Sequence, residues 1–175
     1  MIHPLVGIVM GSDSDLNVMK DAASLLSELS IPHEVIISSA HRAPERTMQY
    51  AANAANKGLK VIIAGAGSAA HLAGVIASHT TLPVIGVPIY SGALKGLDAL
   101  YATVQMPPGV PVATVAINGA RNAGILAAQI LAVSDPDIHS KIKSLKTKMA
   151  EQVCQKSTDL ERLGIDGYIA AKLKI

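Results

Sequence analysis

The chain has 175 residues, a formal net charge of +2 and 50% hydrophobic residues, with no Trp, no Phe and four Tyr. Such a length suits one domain with a sizeable core, and that core has to be built from Ala, Val, Ile, Leu and Met. So few aromatic rings exclude a base-stacking surface for single-stranded nucleic acid. Charge is spread unevenly: residues 1–140 carry 7 Lys or Arg against 9 Asp or Glu, and residues 141–175 carry 8 against 4. The basic excess reads as a solvated helix face, so no nucleic-acid partner is expected. Cys154 is the only cysteine, which leaves no intrachain disulfide or cysteine-rich metal site and fits a reducing cytoplasm. No signal-peptide pattern opens the chain and no apolar run is long enough to span a bilayer, so no membrane association is expected.

In chain order, Leu5 to Met10 reads as a strand. Asp15 to Leu29 reads as a helix with Leu16, Met19, Ala23, Leu26 and Leu29 on its apolar face. Ile31-Pro32 ends it, and Glu34 to Ile37 is a second strand. Pro44 fits the first turn of a helix ending near Lys57-Gly58. Lys60 to Ala64 is a third strand, Ala69 to Ser78 a short helix and Pro83 to Val87 a fourth strand. A helix at Leu97 to Val104, a strand at Val112 to Ala116 and an alanine-rich helix at Asn122 to Val133 follow. Residues 137–155 form a further helix, with Ile138, Ile142, Leu145, Met149 and Val153 opposite four lysines.

This alternation of strand and helix predicts a mostly parallel sheet covered on both faces, in three layers. About five strands with short loops favour a flavodoxin-like, doubly wound order, in which the first strand lies between the second and third. Residues 1–155 make one such domain. Residues 156–175, with Leu160, Leu163, Ile165, Tyr168, Ile169 and Leu173, form a helical extension expected to pack on a neighbouring subunit, since the sheet is already covered.

The same order gathers the loops after strands one, two and three at the carboxyl edge, where ligands bind in such sheets. The first loop is Gly11-Ser12-Asp13-Ser14-Asp15. Ser12 and Ser14 stand where strand turns into helix, and helix capping and anion binding account for them equally well. Asp15 suits sugar hydroxyls better than phosphate. The second loop is Ser39-Ala40-His41-Arg42: a hydroxyl and a guanidinium fork for an oxyanion, beside an imidazole that moves protons near neutral pH. The third is Gly65-Ala66-Gly67-Ser68-Ala69-Ala70-His71, whose small residues serve either tight packing or a small uncharged ligand. No acid follows it at dinucleotide spacing, which excludes NAD, and there is no ATP loop, nucleophile elbow or metal-ligand cluster. Neither metal nor cofactor is expected.

Met10-Gly11-Ser12, Ser14-Asp15, Ser39-Ala40-His41-Arg42, Ala64-Gly65-Ala66-Gly67, Ala69-Ala70-His71-Leu72, Gly86-Val87-Pro88 and Gln105-Met106-Pro107 together resemble the class I 5-(carboxyamino)imidazole ribonucleotide mutase family over roughly residues 5–150. The resemblance implies a ribonucleotide substrate whose carboxylate moves from an exocyclic nitrogen to ring carbon 4, through trapped carbon dioxide. It implies His41 as general acid and base. Ser14, Ser39 and Arg42 would hold phosphate, Asp15 the ribose, and Ser12 the region near the carboxylate. Ser68, Ala69, Ala70, His71 and Leu72 would confine the gas. It further implies a homo-octamer. Two departures stand out: Ser68 and Ala73 replace the Gly and Pro common in such families. The rivals are a carboxylase using free carbon dioxide, which typically has Lys in place of Arg42 and lacks the third loop, and a non-catalytic phosphosugar- or flavin-binding module. Flavin is disfavoured by the missing Trp and Phe.

Overall fold

The computed structural model describes residues 3–173. Five strands, β1 (Val6–Met10), β2 (His33–Ile37), β3 (Val61–Gly67), β4 (Val84–Ile89) and β5 (Ala113–Thr114), form one sheet in the order β2-β1-β3-β4-β5. Every pairing is parallel. The helices are α1 (Leu16–Glu28), α2 (Pro44–Asn53), α3 (Leu72–Ser78), α4 (Leu97–Val104), α5 (Ala120–Ala132) and α6 (Pro136–Leu173). The fold is therefore the doubly wound, flavodoxin-like arrangement that the alternating pattern predicts.

Side chains alternate across each strand and supply two cores. Val6, Ile8 and Met10 of β1 face Met19, Leu25 and Leu26 of α1 and Ala123 and Ala127 of α5. Val9, Ile62 and Ala64 face Ala51 of α2 and Leu72 and Ile76 of α3. Helix α4 lies beside α3 on that second face: a Cβ on Gly86 of β4 would meet both Thr103 of α4 and Ala73 of α3. Strand β1 is wholly buried because both sides are covered. Strand β2 lies at the edge, and Val35 and Ile37 stay 44% exposed. The core holds no ring larger than Tyr50; its largest fully buried side chains are Ile, Leu, Met and Val.

Several boundaries differ from the sequence reading, each for a physical reason. Strand β3 extends through Gly67, beyond the expected end at Ala64, because Gly65 pairs with Met10 and Gly67 with Ile89. Pairing with β1 as far as Gly65, and with β4 as far as Gly67, overrides the weak strand preference of Gly and Ala. Gly65 serves close packing too, since a Cβ there would collide with Met19. Strand β4 runs two residues further than predicted because Pro88 and Ile89 pair with Ala66 and Gly67 of β3. Helix α1 begins only after a single 3-10 turn at Asp13–Asp15, which rotates its buried face to Met19, Ala22, Leu25 and Leu26; Leu16 is 43% exposed. Helix α2 gives way to turns after Asn53, α3 starts at Leu72 rather than Ala69, β5 shrinks to Ala113–Thr114, and α5 begins two residues early, at Ala120.

Helix α6 runs without interruption through positions 155 and 156. Its break is at Gly164, whose φ of 65° and ψ of 172° belong to backbone space that is essentially glycine-only. Ile138, Ile142 and Leu145 are buried against the domain, whereas Met149, Val153, Leu160 and Ile169 are between 42% and 65% exposed. Among the described residues no helix is long and apolar enough to cross a membrane.

Candidate active site

Each loop at the carboxyl edge is fastened to its neighbours by hydrogen bonds. After β1, Gly11 N–H donates to Gly65 carbonyl oxygen at 3.2 Å. Ser12 then caps the 3-10 turn reciprocally: Ser14 N–H reaches Ser12 Oγ at 3.4 Å, and Ser12 N–H reaches Asp15 Oδ2 at 3.0 Å. Ser14 Oγ donates to Asp15 Oδ1 at 3.4 Å. Asp15 is buried, and loss of hydration pushes its carboxyl above the ordinary 3.8, only partly offset by the hydrogen bonds from Ser12, Ser14 and Gly11.

After β2, Ser38 N–H donates to Met10 carbonyl oxygen at 2.9 Å, and the buried Ser38 and Thr47 hydroxyls meet at 2.8 Å. Thr47 Oγ1 also donates to Ala43 carbonyl oxygen at 3.2 Å, and Pro44 starts α2. The loop is thus clamped at its base. Ser39 Oγ accepts from Arg42 N–H at 3.2 Å and from Arg42 Nε at 3.5 Å, while Arg42 Nη2 donates to Gly11 carbonyl oxygen at 3.1 Å. Arg42 therefore ties the second loop to the first and keeps further guanidinium hydrogens for an anion.

After β3, the chain turns sharply: Ala70 N–H donates to Ser68 carbonyl oxygen and His71 N–H to Ala69 carbonyl oxygen, both at 2.8 Å. Ser68 has φ 50°, in the left-handed region that favours glycine. A glycine would adopt this backbone without strain. His71 projects back so that its Nδ1 lies 2.9 Å from His41 Nε2, with the rings edge to face at 82°. Two facing imidazole nitrogens can share only one hydrogen, so one donates and the other accepts.

The loops enclose a cavity of about 380 Å³. Of the residues anticipated from sequence, Ser12, Ser14, Asp15, Ser39, His41, Arg42, Ser68, Ala69 and Leu72 line it. Ala70 is buried behind the turn, and His71 stands beside His41 rather than in the cavity wall. Ser91, which follows β4, also lines the cavity and was not anticipated. Its only sequence signal is a hydroxyl followed by Gly92 just beyond a fully buried strand.

Comparison with known proteins gives the lineage. The AIR carboxylase family matches residues 5–152. The chain belongs to that family. It is similar to the N5-carboxyaminoimidazole ribonucleotide mutase of Thermotoga maritima, 57% identical over 97% of this chain and 99% of that protein. It is also similar to the phosphoribosylaminoimidazole carboxylase of Schizosaccharomyces pombe, 55% identical over 95% of this chain but only 30% of that larger protein. Among solved structures, the crystal structure of Treponema denticola PurE superposes with a TM-score of 0.81 at 30% identity, covering 90% of this chain and 98% of that one. The match to the AIR carboxylase family includes every strand and all three loops, and it ends inside α6, ahead of the Gly164 break.

Proposed function

We propose that this protein is an isomerase of purine biosynthesis that moves the carboxylate of 5-(carboxyamino)imidazole ribonucleotide from its exocyclic nitrogen to ring carbon 4. One observation carries the reading. The imidazole of His41 opens on the same cavity as an anion-ready Arg42 and the tight small-residue turn after Gly67. The name of the Thermotoga maritima relative supports it.

The phosphate goes to Ser14, Ser39 and Arg42, the ribose hydroxyls to Asp15, and the carboxylate end to Ser12 and the turn from Ser68 to Leu72. Breaking the carbamate C–N bond returns an electron pair to nitrogen, which takes a proton from His41. Carbon 4 then attacks the captive carbon dioxide, and His41 removes the proton from that carbon. Proton and carboxyl group are each lost and regained, so the sequence balances without oxidant, nucleotide triphosphate or cofactor. One group can serve both steps because an imidazole nitrogen can give up a proton and take one back. The His71 contact supports this role by giving His41 Nε2 a partner with which to share a hydrogen. Confinement supplies the rest: a reactant held in place reaches an effective concentration of ~10⁵–10⁸ M in well-oriented cases.

The test supplies the carbamate ribonucleotide without ATP or added bicarbonate and follows the carbon-carboxylated product. Turnover of only the uncarboxylated ribonucleotide plus dissolved carbon dioxide would make the protein a carboxylase. Binding without turnover would make it a non-catalytic phosphosugar module.

Assembly into a homo-octamer in the cytoplasm belongs to the same reading, with residues 1–155 as the catalytic domain and 156–175 packing on a neighbouring subunit. It is supported by the exposed apolar residues of α6, and by Tyr90, Leu94, Leu97 and Tyr101 before and along α4. The exposed free thiol of Cys154 fits a reducing compartment.

A further inference from the structure

The reaction outlined above sends the carboxylate end to the turn that begins at Ser68, but it gives no hydrogen bond to the hydroxyl of Ser68 or to that of Ser91 beside it. Ser91 Oγ accepts a hydrogen bond from Ser68 N–H at 2.9 Å and lies 3.1 Å from Ser68 Oγ. Both residues line the cavity. Gly67 makes this approach possible, because a Cβ there would sit 2.6 Å from Ser91 Oγ. The two hydroxyls own two hydrogens, and the contact between them consumes one. If Ser91 donates to Ser68, the hydrogen of Ser68 is left over. If Ser68 donates, the hydrogen of Ser91 is left over. Either way the couple offers one further donor to whatever fills the cavity.

Position decides which hydroxyl delivers it. Ser91 is half-buried and already holds the Ser68 amide, whereas Ser68 is exposed at the rim of the turn. Ser68 also keeps a left-handed backbone, φ 50°, which a glycine would adopt without a steric penalty. Strain retained at a cavity wall is a pointer to function when a side chain there has chemistry to perform.

Resting on the mutase reading, we propose that Ser68 donates a hydrogen bond to the carboxylate of the carboxylated ribonucleotide, and that Ser91 is the positioning residue that aims it. A hydroxyl donor favours a charged carboxylate over neutral carbon dioxide and over a nucleotide with no carboxyl group. The couple is thus a specificity device: it separates the carboxylated ribonucleotides from 5-aminoimidazole ribonucleotide, which has the same ribose and phosphate.

Calorimetric titration with the carbon-carboxylated product and with 5-aminoimidazole ribonucleotide tests this on the intact protein. Ser68→Gly suits the backbone, so its fold is secure. It should weaken binding of the carboxylated nucleotide about tenfold, as expected for one hydrogen bond to a charged group, and leave the uncarboxylated one unchanged. Ser91→Ala should reduce the same discrimination several-fold, and Ser91→Thr should restore it. Equal weakening of both nucleotides by Ser68→Gly, or no weakening of either, overturns the proposal, as does unchanged discrimination in Ser91→Ala. Failure of the unsubstituted protein to bind either nucleotide overturns the mutase reading and this proposal with it.

Discussion

The carboxyl edge of the sheet and helix α6 are built on opposite plans. At the edge, order comes from bonds between segments far apart in sequence: Ser38 to Met10, Arg42 to Gly11, and Ser68 to Ser91. Each bond has at least one end at or next to the end of a paired strand, so the sheet fixes the loops. Helix α6 is held by local pairs, such as Lys141 with Asp137 at 2.8 Å and Arg162 with Asp159 at 3.2 Å. Only three of its residues, Ile138, Ile142 and Leu145, are buried. A change at the edge should therefore be felt as lost chemistry, and a change in the outer part of α6 should leave the chain's own fold intact.

The sharpest break in that contrast is His41→Asn. On the proposed mechanism this removes the general acid and base and should cost ~10²–10⁴-fold in rate, while binding through Arg42 and the serines should survive. Initial rates together with calorimetric binding check both halves of the expectation. Arg42→Ala follows in size. It removes a charge-assisted hydrogen bond worth ~1.5–3 kcal/mol, so nucleotide affinity should fall by about ten- to a hundredfold. The loss should shrink in high salt if phosphate is the contact, so affinity measured at two ionic strengths decides it.

Thr47→Val moves the argument from chemistry to stability. It strands the buried hydroxyl of Ser38, at a cost of ~1–3 kcal/mol in urea unfolding. Replacing Ser38 by Ala in the same chain should recover most of that loss, because neither polar group is then left unsatisfied. Asp15→Asn has a smaller effect and a characteristic pH signature. Burial raises the folded pKa of Asp15 above 3.8. The folded protein therefore binds this proton more tightly than the unfolded chain does. That contribution to stability is complete below the unfolded value and is lost as pH rises through the folded pKa. The Asn variant lacks this titration and should unfold with a flatter pH dependence across that window. A curve parallel to the parent's would mean that burial does not govern this carboxyl.

How the site was legible in sequence follows from the same division of labour. Short apolar runs ending in Gly, Ser or His marked the ends of β1, β2 and β3, and the doubly wound order brought those ends together. The strand order alone thus joins the loops at Ser12, Ser39 and Gly67. Contacts set by tertiary pairing were not legible. Gly65, Ala66 and Gly67 look like loop residues and become strand only because β4 pairs with all three and β1 with Gly65. The 3-10 turn before Leu16 turned the face of α1 by an amount that periodicity alone does not register. Ser91 carries no motif, and its meaning depends on a hydroxyl 23 positions earlier in the chain.

The outer part of α6 tests the other half of the contrast. Met149, Val153, Leu160 and Leu163 recur at helical spacing, and all are at least 38% exposed. Water gains nothing from such a stripe, and nothing in this chain covers it among the described residues. Val153→Lys combined with Leu160→Lys should change the unfolding free energy of the isolated chain by no more than about 0.5 kcal/mol per substitution, as for other exposed positions. If the stripe is buried between copies, the two added charges must be desolvated on assembly, and light scattering should report a fall in mass while circular dichroism stays the same. A mass unchanged from the parent would remove α6 from the assembly surface and leave the apolar residues along α4 to account for it.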